Sequence, residues 1–467
     1  MMMLHRVSRY TFALALLGLP AVAGAQAFGL NEIGSCALAR GFAATAAPCD
    51  DASSIYWNPG ALPRTRGFSL YGGAAVIKID GSFTADSTFT EYKGDAPTAV
   101  VPHLFINYRG AGKLAYGLGV YVPYGLTSQW KDDFPGRFSA KKASLQTIYV
   151  QPNLAYQLND NWSVGGGPII GRSTVELIQA IDLSGQTATV IAGNAITFGQ
   201  LGIPKRTEFA RASLKGSSTA LGFTLGLHGK LTPTWEMGLR FLSQVTFNYD
   251  DADATFEQRP TGLILAAKNP FGAPLNTPVD ALVASQFTGT NALTAQKVQT
   301  QIQHPAQVQA GFGYTGFDRT TLSVDYSYVG WKSFKQLPVN FKGPAPSKVL
   351  VEEYNNTSSI RFGAEHRLLN GVALRAGLAG ATSAAPDQTV TPLLPEMDRG
   401  YGTLGAGIPV MGRLTLDAAY GHVFTSGRRG RIDERPITAN AAQAVALNSG
   451  FFSLNANIVS LSLKASF

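Results

Sequence analysis

Along much of the chain, apolar and polar residues alternate with a period of two, the mark of a strand with two unlike faces. In "TTLSVDYSYV" (320–329), Leu322, Val324, Tyr326 and Tyr328 share one face, and Thr321, Ser323, Asp325 and Ser327 share the other. "WEMGLRFLSQVTFNY" (235–249) extends the pattern. Trp235, Met237, Leu239, Phe241, Val245, Phe247 and Tyr249 stand opposite Glu236, Gly238, Arg240, Gln244, Thr246 and Asn248. The chain ends "NIVSLSLKASF", where Val459, Leu461, Leu463, Ala465 and Phe467 alternate with Ser460, Ser462, Lys464 and Ser466.

Such segments recur near 67–79, 97–109, 113–122, 145–158, 161–175, 218–231, 235–250, 304–315, 319–332, 357–368, 371–382, 401–411, 412–424 and 453–467, fourteen in all. An even count is what a closed single-chain barrel requires. "LNDN" (158–161), "LTPT" (231–234) and "GFDR" (316–319) read as tight turns at one end. Two connections are far longer, near 176–217 and 251–303, and belong at the other end. Within them, "VELIQAIDL" and "PVDALVASQF" carry apolar residues at helical spacing. "FGQLGIP" and "GLILAAKNPFGAPL" are rich in hydrophobes for exposed loops. Either these residues pack the two loops together or they form a gathering surface for apolar ligands, and both can hold at once.

Composition decides what kind of barrel this is. Only 15% of the residues are charged against 45% hydrophobic, with 51 glycines and 10% aromatics. A soluble domain carries about 25% charge. The chain opens "MMMLHRVSRYTFALALLGLPAVAGAQAFGL": Arg6 and Arg9, an apolar run over 10–19, then Ala23-Gly24-Ala25. This reads as a secretory signal over 1–25, cleaved after about Ala25. No later apolar stretch reaches 18 residues, so spanning helices are excluded. The expected fold is therefore all-β: a transmembrane antiparallel β-barrel of 14 strands over 67–467 in the outer membrane of a Gram-negative bacterium. In that setting Glu236 and Arg240 face a wet lumen rather than a dry core.

The net charge of +8 reads as scattered surface excess, because basic residues do not interleave with aromatics as nucleic-acid binding needs. "GRRGRIDERP" (427–436) is the one basic cluster, read as an exposed loop facing anionic lipid heads. Cys36 and Cys49, in an oxidising compartment, are either paired or two free thiols. A disulfide closing so short a loop would contribute roughly 3 kcal/mol. The six histidines are scattered, and no nucleophile elbow, phosphate loop or metal-ligand spacing appears. No catalytic residues, metal or cofactor are expected, and the chain is read as not an enzyme.

Residues 26–66 are too long for a tail and too irregular for a strand. "DDASSIYWNPGAL" (50–62) has acids, serines and the Asn58-Pro59-Gly60 turn. A polar, turn-rich segment of this kind suits the inside of a barrel, where it would plug the lumen.

Here the sequence resembles the FadL family of outer-membrane transporters for long-chain fatty acids and hydrocarbons. The resemblance rests on "FGLNEIGSCALARGFAATAAPCDDASSIYWNP", "VPYGLTSQW" (122–130), "NWSVGGG" (161–167), "HPAQVQAGFGY" (304–314), "YVGWKSFKQL" (328–337) and the terminal Phe467, which is similar to an outer-membrane assembly signal. It implies an N-terminal hatch over 26–66 inside the barrel. It implies ligand capture by the two long loops and transfer to an inner site lined by Gln26, Ala27 and Phe28. It further implies lateral release through a gap at a kink in the third strand, matched here by Pro123, Tyr124, Gly125 and Leu126. The expected partners are a hydrophobic small molecule and outer-membrane lipid, with no nucleic acid, and the expected state is a monomer. Two departures stand out. Gly60 replaces the family's Ala after Asn-Pro. The basic positions that hold a carboxylate in the best-known members fall on Leu177 and Leu350. Arg172 and Lys348 could substitute or be ordinary lumen and loop charges; loss of both favours a neutral ligand. The alternatives are thus an uptake channel for neutral aromatic or aliphatic hydrocarbons, or a general diffusion porin.

Overall fold

A computed structural model describes residues 27–191, 193–265, 276–436 and 438–467. The signal segment 1–25 and Gln26 lie outside the described residues. Strands β1 (Gly67–Ala85), β2 (Ala99–Arg109), β3 (Leu114–Gln129), β4 (Lys142–Gln157), β5 (Trp162–Asp182) and β6 (Glu208–Lys230) follow one another in antiparallel pairs. Next come β7 (Trp235–Leu242 and Val245–Gln258), β8 (Gln296–His304 and Gln307–Phe317), β9 (Thr320–Val329 and Gln336–Phe341) and β10 (Lys348–Val351 and Thr357–Arg367), each in two pieces. Then β11 (Ala373–Ala381), β12 (Arg399–Met411), β13 (Leu414–Thr425) and β14 (Gly450–Ser466) bring the chain back to β1. The β1–β14 ladder runs from Ser69↔Ser466 to Ala85↔Gly450, so the fourteen-stranded sheet closes on itself. Among the described residues no helix is long and apolar enough to cross a membrane.

The alternation is realised as expected in most strands. Leu322, Tyr326 and Tyr328 are exposed on the outer wall, and Ser323, Asp325 and Ser327 are buried inside. Val459, Leu461 and Leu463 face out, and Ser460 and Ser462 face in. The backbone N–H of Phe68 donates to Phe467 O at 2.9 Å, tying the terminal residue to the first strand.

Two expectations change. "VELIQAIDL" is not helical. It carries β5 up to Asp182, laddered on β6 through pairs such as Glu176↔Lys215, because an available strand edge outweighs apolar spacing. The long connections accordingly shrink to 183–207 and 259–295. "PVDALVASQF" does form a short helix, Val279–Val283, followed by a 3₁₀ turn over Ala284–Phe287. Leu183, Phe198, Ile203, Phe209, Val279 and Val283 bury one another in a cluster of their own, so the loops pack together. Residues 266–275, the latter part of "GLILAAKNPFGAPL", lie outside the described residues.

The second change is in the face shared by Trp235 through Tyr249. Trp235, Leu239 and Phe241 do face away from the buried Glu236 and Arg240, but Val245, Phe247 and Tyr249 turn inward and are buried, leaving Gln244 and Asn248 exposed. The ladder breaks at Ser243-Gln244, between Leu242↔Gln307 and Val245↔His304. Two residues leave the ladder on each strand without a change of register, and beyond them the inward face of β7 passes from even to odd positions. β8 is broken directly opposite, at Pro305-Ala306, and β3 shifts register between Tyr121 and Tyr124. These breaks share one level: Tyr124 Oη donates to Pro305 O at 3.1 Å and accepts from Gln307 Nε2 at 2.8 Å.

Below that level the inner wall is polar and meets residues 27–64. These form short helices Ser35–Ala39 and Ser54–Trp57 and a 3₁₀ turn over Pro59–Arg64, and almost all are buried. Arg40 Nη2 donates to Ser323 Oγ at 3.1 Å, and Thr45 N donates to Asp325 Oδ2 at 2.7 Å. Arg240 stacks 4.3 Å above the Tyr56 ring. Asn58 Oδ1 accepts from Gly60 N at 3.1 Å, and its Nδ2 donates to Thr45 O at 2.8 Å and Leu227 O at 3.0 Å. This turn explains Gly60: a Cβ there would stand 2.6 Å from Gly226 O on β6. Cys36 and Cys49 are joined in a disulfide.

Candidate functional site

The third strand carries the site. The β2–β3 ladder runs from Tyr108↔Tyr116 to His103↔Tyr121 and stops there. β3 goes on to Gln129, paired from Tyr124 onward with β4 alone. Residues 99–102 of β2 are paired only with β1. Each lip holds a proline, Pro102 and Pro123, which has no N–H to give a ladder. The wall rejoins above at the Gly94↔Trp130 bridge, with Asp95 N donating to Gln129 O at 2.8 Å. The wall therefore has a break beside Gly125.

The N-terminal residues occupy the inside of that break. Leu30 N donates to Pro123 O and Gly125 N donates to Phe28 O, both at 2.9 Å, with Gly29 bridged to Tyr124. A Cβ on Gly125 would lie 2.9 Å from Leu30 Cδ1, so any larger residue there must displace the Leu30 side chain. Phe28 is buried among rings, its centroid 4.6 Å from Trp331, 5.5 Å from Phe334, 5.8 Å from His304 and 6.1 Å from Tyr124. Ala27 is anchored by its N–H on Glu396 Oε1 at 2.8 Å. That carboxylate also accepts from Ala385 N at 2.7 Å, and burial raises its pKa.

Above the break, three cavities follow one another. The outermost lies between Leu177, Ala212, Leu214, Phe341 and Leu350. The middle one is lined by Phe28, Leu145, Val175, Leu177, Ile302, Leu337 and Tyr354. The third, by the wall break, is lined by Leu30, Ile77, Ile79, Gly125 and Leu126. The first two share Leu177 and Leu393, and the last two share Leu126 and Leu394. One mainly apolar track thus leads from the loops to the broken wall, with Glu32 and Arg399 beside its last cavity, and it is interrupted by Phe28, Gly29 and Leu30.

Of the residues singled out in the sequence, Ala27, Phe28, Pro123, Tyr124, Gly125 and Leu126 come together here, while Asn58, Pro59 and Gly60 anchor the segment lower down. Arg172 does not join them. On β5 the odd-numbered residues face in, and Arg172 stands exposed on the outer wall, bonded to Ser217 Oγ at 2.9 Å. That parity is readable in the sequence and removes Arg172 from the track. Lys348 lies on the rim of the outer cavity, where Nζ meets Gln179 Oε1 at 2.5 Å and Glu434 Oε1 at 3.1 Å. Leu177 and Leu350 line the track itself.

The basic cluster at 427–436 is not a lipid-facing patch. Arg428 pairs with Asp387 at 2.6 Å, Arg429 pairs with Asp86, Arg435 pairs with Glu353 at 3.1 Å, and Arg431 is buried. Glu352, which sequence reasoning passed over, lines the middle cavity, and burial pushes its pKa up to about 7. Nothing local marks it: it becomes a site residue only because the break in β10 turns it inward.

A family model described as "Outer membrane protein transport protein (OMPP1/FadL/TodX)" matches residues 17–467. Among curated proteins, the 47 kDa outer membrane protein of Pasteurella multocida is 25% identical over 464 residues, 97% of this chain and 99% of that one. The long-chain fatty acid transport protein of Shigella flexneri is 23% identical, with 92% and 94% covered. Among solved structures, a Pseudomonas aeruginosa FadL homologue superposes with a TM-score of 0.77 at 21% identity, covering 95% of this chain and 100% of that one. The last likeness speaks for the fold.

Proposed function

The chain belongs to the outer membrane protein transport protein family (OMPP1/FadL/TodX), and from that premise we propose that it passes hydrophobic molecules from the outside into the plane of the outer membrane. It is an outer-membrane protein of that transport family. Long-chain fatty acids or similar hydrophobic compounds are its cargo. The two long loops gather the molecule, the cavity against Phe28 holds it, and the break beside Gly125 releases it sideways into lipid. Residues 26–66 act as a hatch that keeps the lumen closed, with the signal segment removed after about Ala25. The protein works as a monomer and performs no catalysis.

The observation that carries this reading is the continuity of the apolar cavities up to the point where the β2–β3 ladder stops. Each methylene kept out of water is worth about 0.8 kcal/mol. A route through a wet lumen would forfeit that along the whole acyl chain, whereas a sideways exit keeps the tail in apolar surroundings. A neutral hydrocarbon is the second reading, favoured by Leu177 and Leu350 at the places where a carboxylate would be met.

Gly125→Phe tests the exit. A ring in the opening should slow palmitate uptake by cells roughly tenfold, about 1.4 kcal/mol on the exit barrier, while purified protein still binds palmitate. Unchanged uptake would rule out lateral release. Little steady current in planar bilayers is expected of a hatched lumen, and a large open conductance would favour the porin alternative.

A further inference from the structure

Arg431 differs from the other arginines of its segment. It is 2% exposed, and its Nε and Nη1 are both buried without a hydrogen-bond partner. No carboxylate among the described residues closes an ion pair with it, whereas Arg428, Arg429 and Arg435 all have one. Its position is fixed by the backbone. Arg431 N donates to Val390 O at 3.1 Å, and the preceding residues Arg428–Gly430 ladder onto β14. A buried guanidinium short of a counter-charge is costly, and orphan donors of this kind call for an acceptor.

The side chain borders a small cavity with Leu350, Glu352, Leu393 and Arg435. Glu352 and Leu393 also line the cavity against Phe28, and Leu350 and Leu393 line the outer one. The apolar track therefore has a polar pocket at its side, at its outer end. Glu352 is held by Tyr354, and its raised pKa leaves it only partly charged at neutral pH. Burial first and then the neighbouring Arg435 lower the Arg431 pKa to about 10, against the opposite pull of Glu352 and Glu434, neither of which reaches it as an ion pair.

We propose that Arg431 receives the carboxylate of a long-chain acid whose tail runs past Leu350 and Leu393 into the cavity against Phe28. This rests on the transport reading above and adds the residue that selects an acid over a neutral cargo: a buried cation from the segment between β13 and β14.

The test compares palmitate with 1-hexadecanol, equal in chain length but neutral, on the purified full-length protein in detergent. The wild type should bind palmitate roughly tenfold more tightly, the scale of a charge-assisted hydrogen bond. Arg431→Gln should abolish that preference and leave hexadecanol binding within about twofold. Glu352→Gln, which keeps a partner for Tyr354, should tighten palmitate binding alone, and it serves if Arg431→Gln fails the heat-modifiable gel shift of a folded barrel. Equal wild-type affinities, an unchanged preference in Arg431→Gln, or no effect of Glu352→Gln would each overturn the assignment and leave the transport reading standing. A wild type that binds neither molecule would overturn both.

Discussion

The two halves of the barrel interior obey opposite rules. Below the level of Tyr124 and Pro305 the inner wall carries Arg240, Asp325, Arg361, Glu365, Arg375 and Asp417, all buried. Above it the wall carries Leu145, Val175, Phe247, Val298 and Ile302, also buried. The lower half tolerates charge because it is occupied. Arg375 Nε meets Glu365 at 2.7 Å and its Nη1 meets Asp417; Arg64 meets Glu236 at 2.6 Å; residues 27–64 supply backbone donors and acceptors to the rest. The upper half is lined, outside the Arg431 pocket, for a tail that offers no hydrogen bonds. A single strand pattern would have made both halves alike. The breaks in β3, β7 and β8 change which residues face in, at one common height, and so let one cylinder have two interiors.

Substitutions can break this contrast, and the largest effect is expected in the occupied half. Arg375→Ala strands two buried carboxylates and should destabilise the barrel by about 3–5 kcal/mol. Its unheated gel band should convert to the unfolded mobility at a clearly lower temperature, and an unshifted transition would mean the lower network is water-filled rather than paired. Gly60→Ala comes next. The added methyl meets Gly226 O, and overpacking of this kind costs about 1–3 kcal/mol. The Asn58 turn should lift from β6 and give intermittent conductance in bilayers, with the fourteen strands intact; a silent bilayer trace would separate the turn from lumen closure. The smallest change should follow Arg172→Ala, on the outer wall of the apolar half, within about 0.5 kcal/mol in stability and without effect on palmitate uptake. A drop in uptake would return Arg172 to the transport route.

Strand number, strand order and the outer wall were legible because alternation is a local signal. A lipid-facing Leu461 and a lumen-facing Ser462 declare themselves to their neighbours, and sheet closure needs no further information once an even set of such strands exists. The turn Asn58-Pro59-Gly60 was legible for the same reason, since each residue's backbone limits act within a few positions, whereas Tyr124-Gly125-Leu126 stood out through the family resemblance, with Pro123 alone marking a broken ladder. What lay beyond the sequence was everything decided across the barrel. Phe247 and Tyr249 keep the parity of Trp235 in the chain yet face the other way, because the break at Ser243-Gln244 is matched to one at Pro305-Ala306 in a different strand. Arg431 reads as part of an exposed basic run until Val390 and β14 hold it against Leu350 and Leu393. A side chain's alternation is set by adjacent peptide units, but which pocket it enters is set by partners hundreds of residues away, and only the closed barrel brings those together.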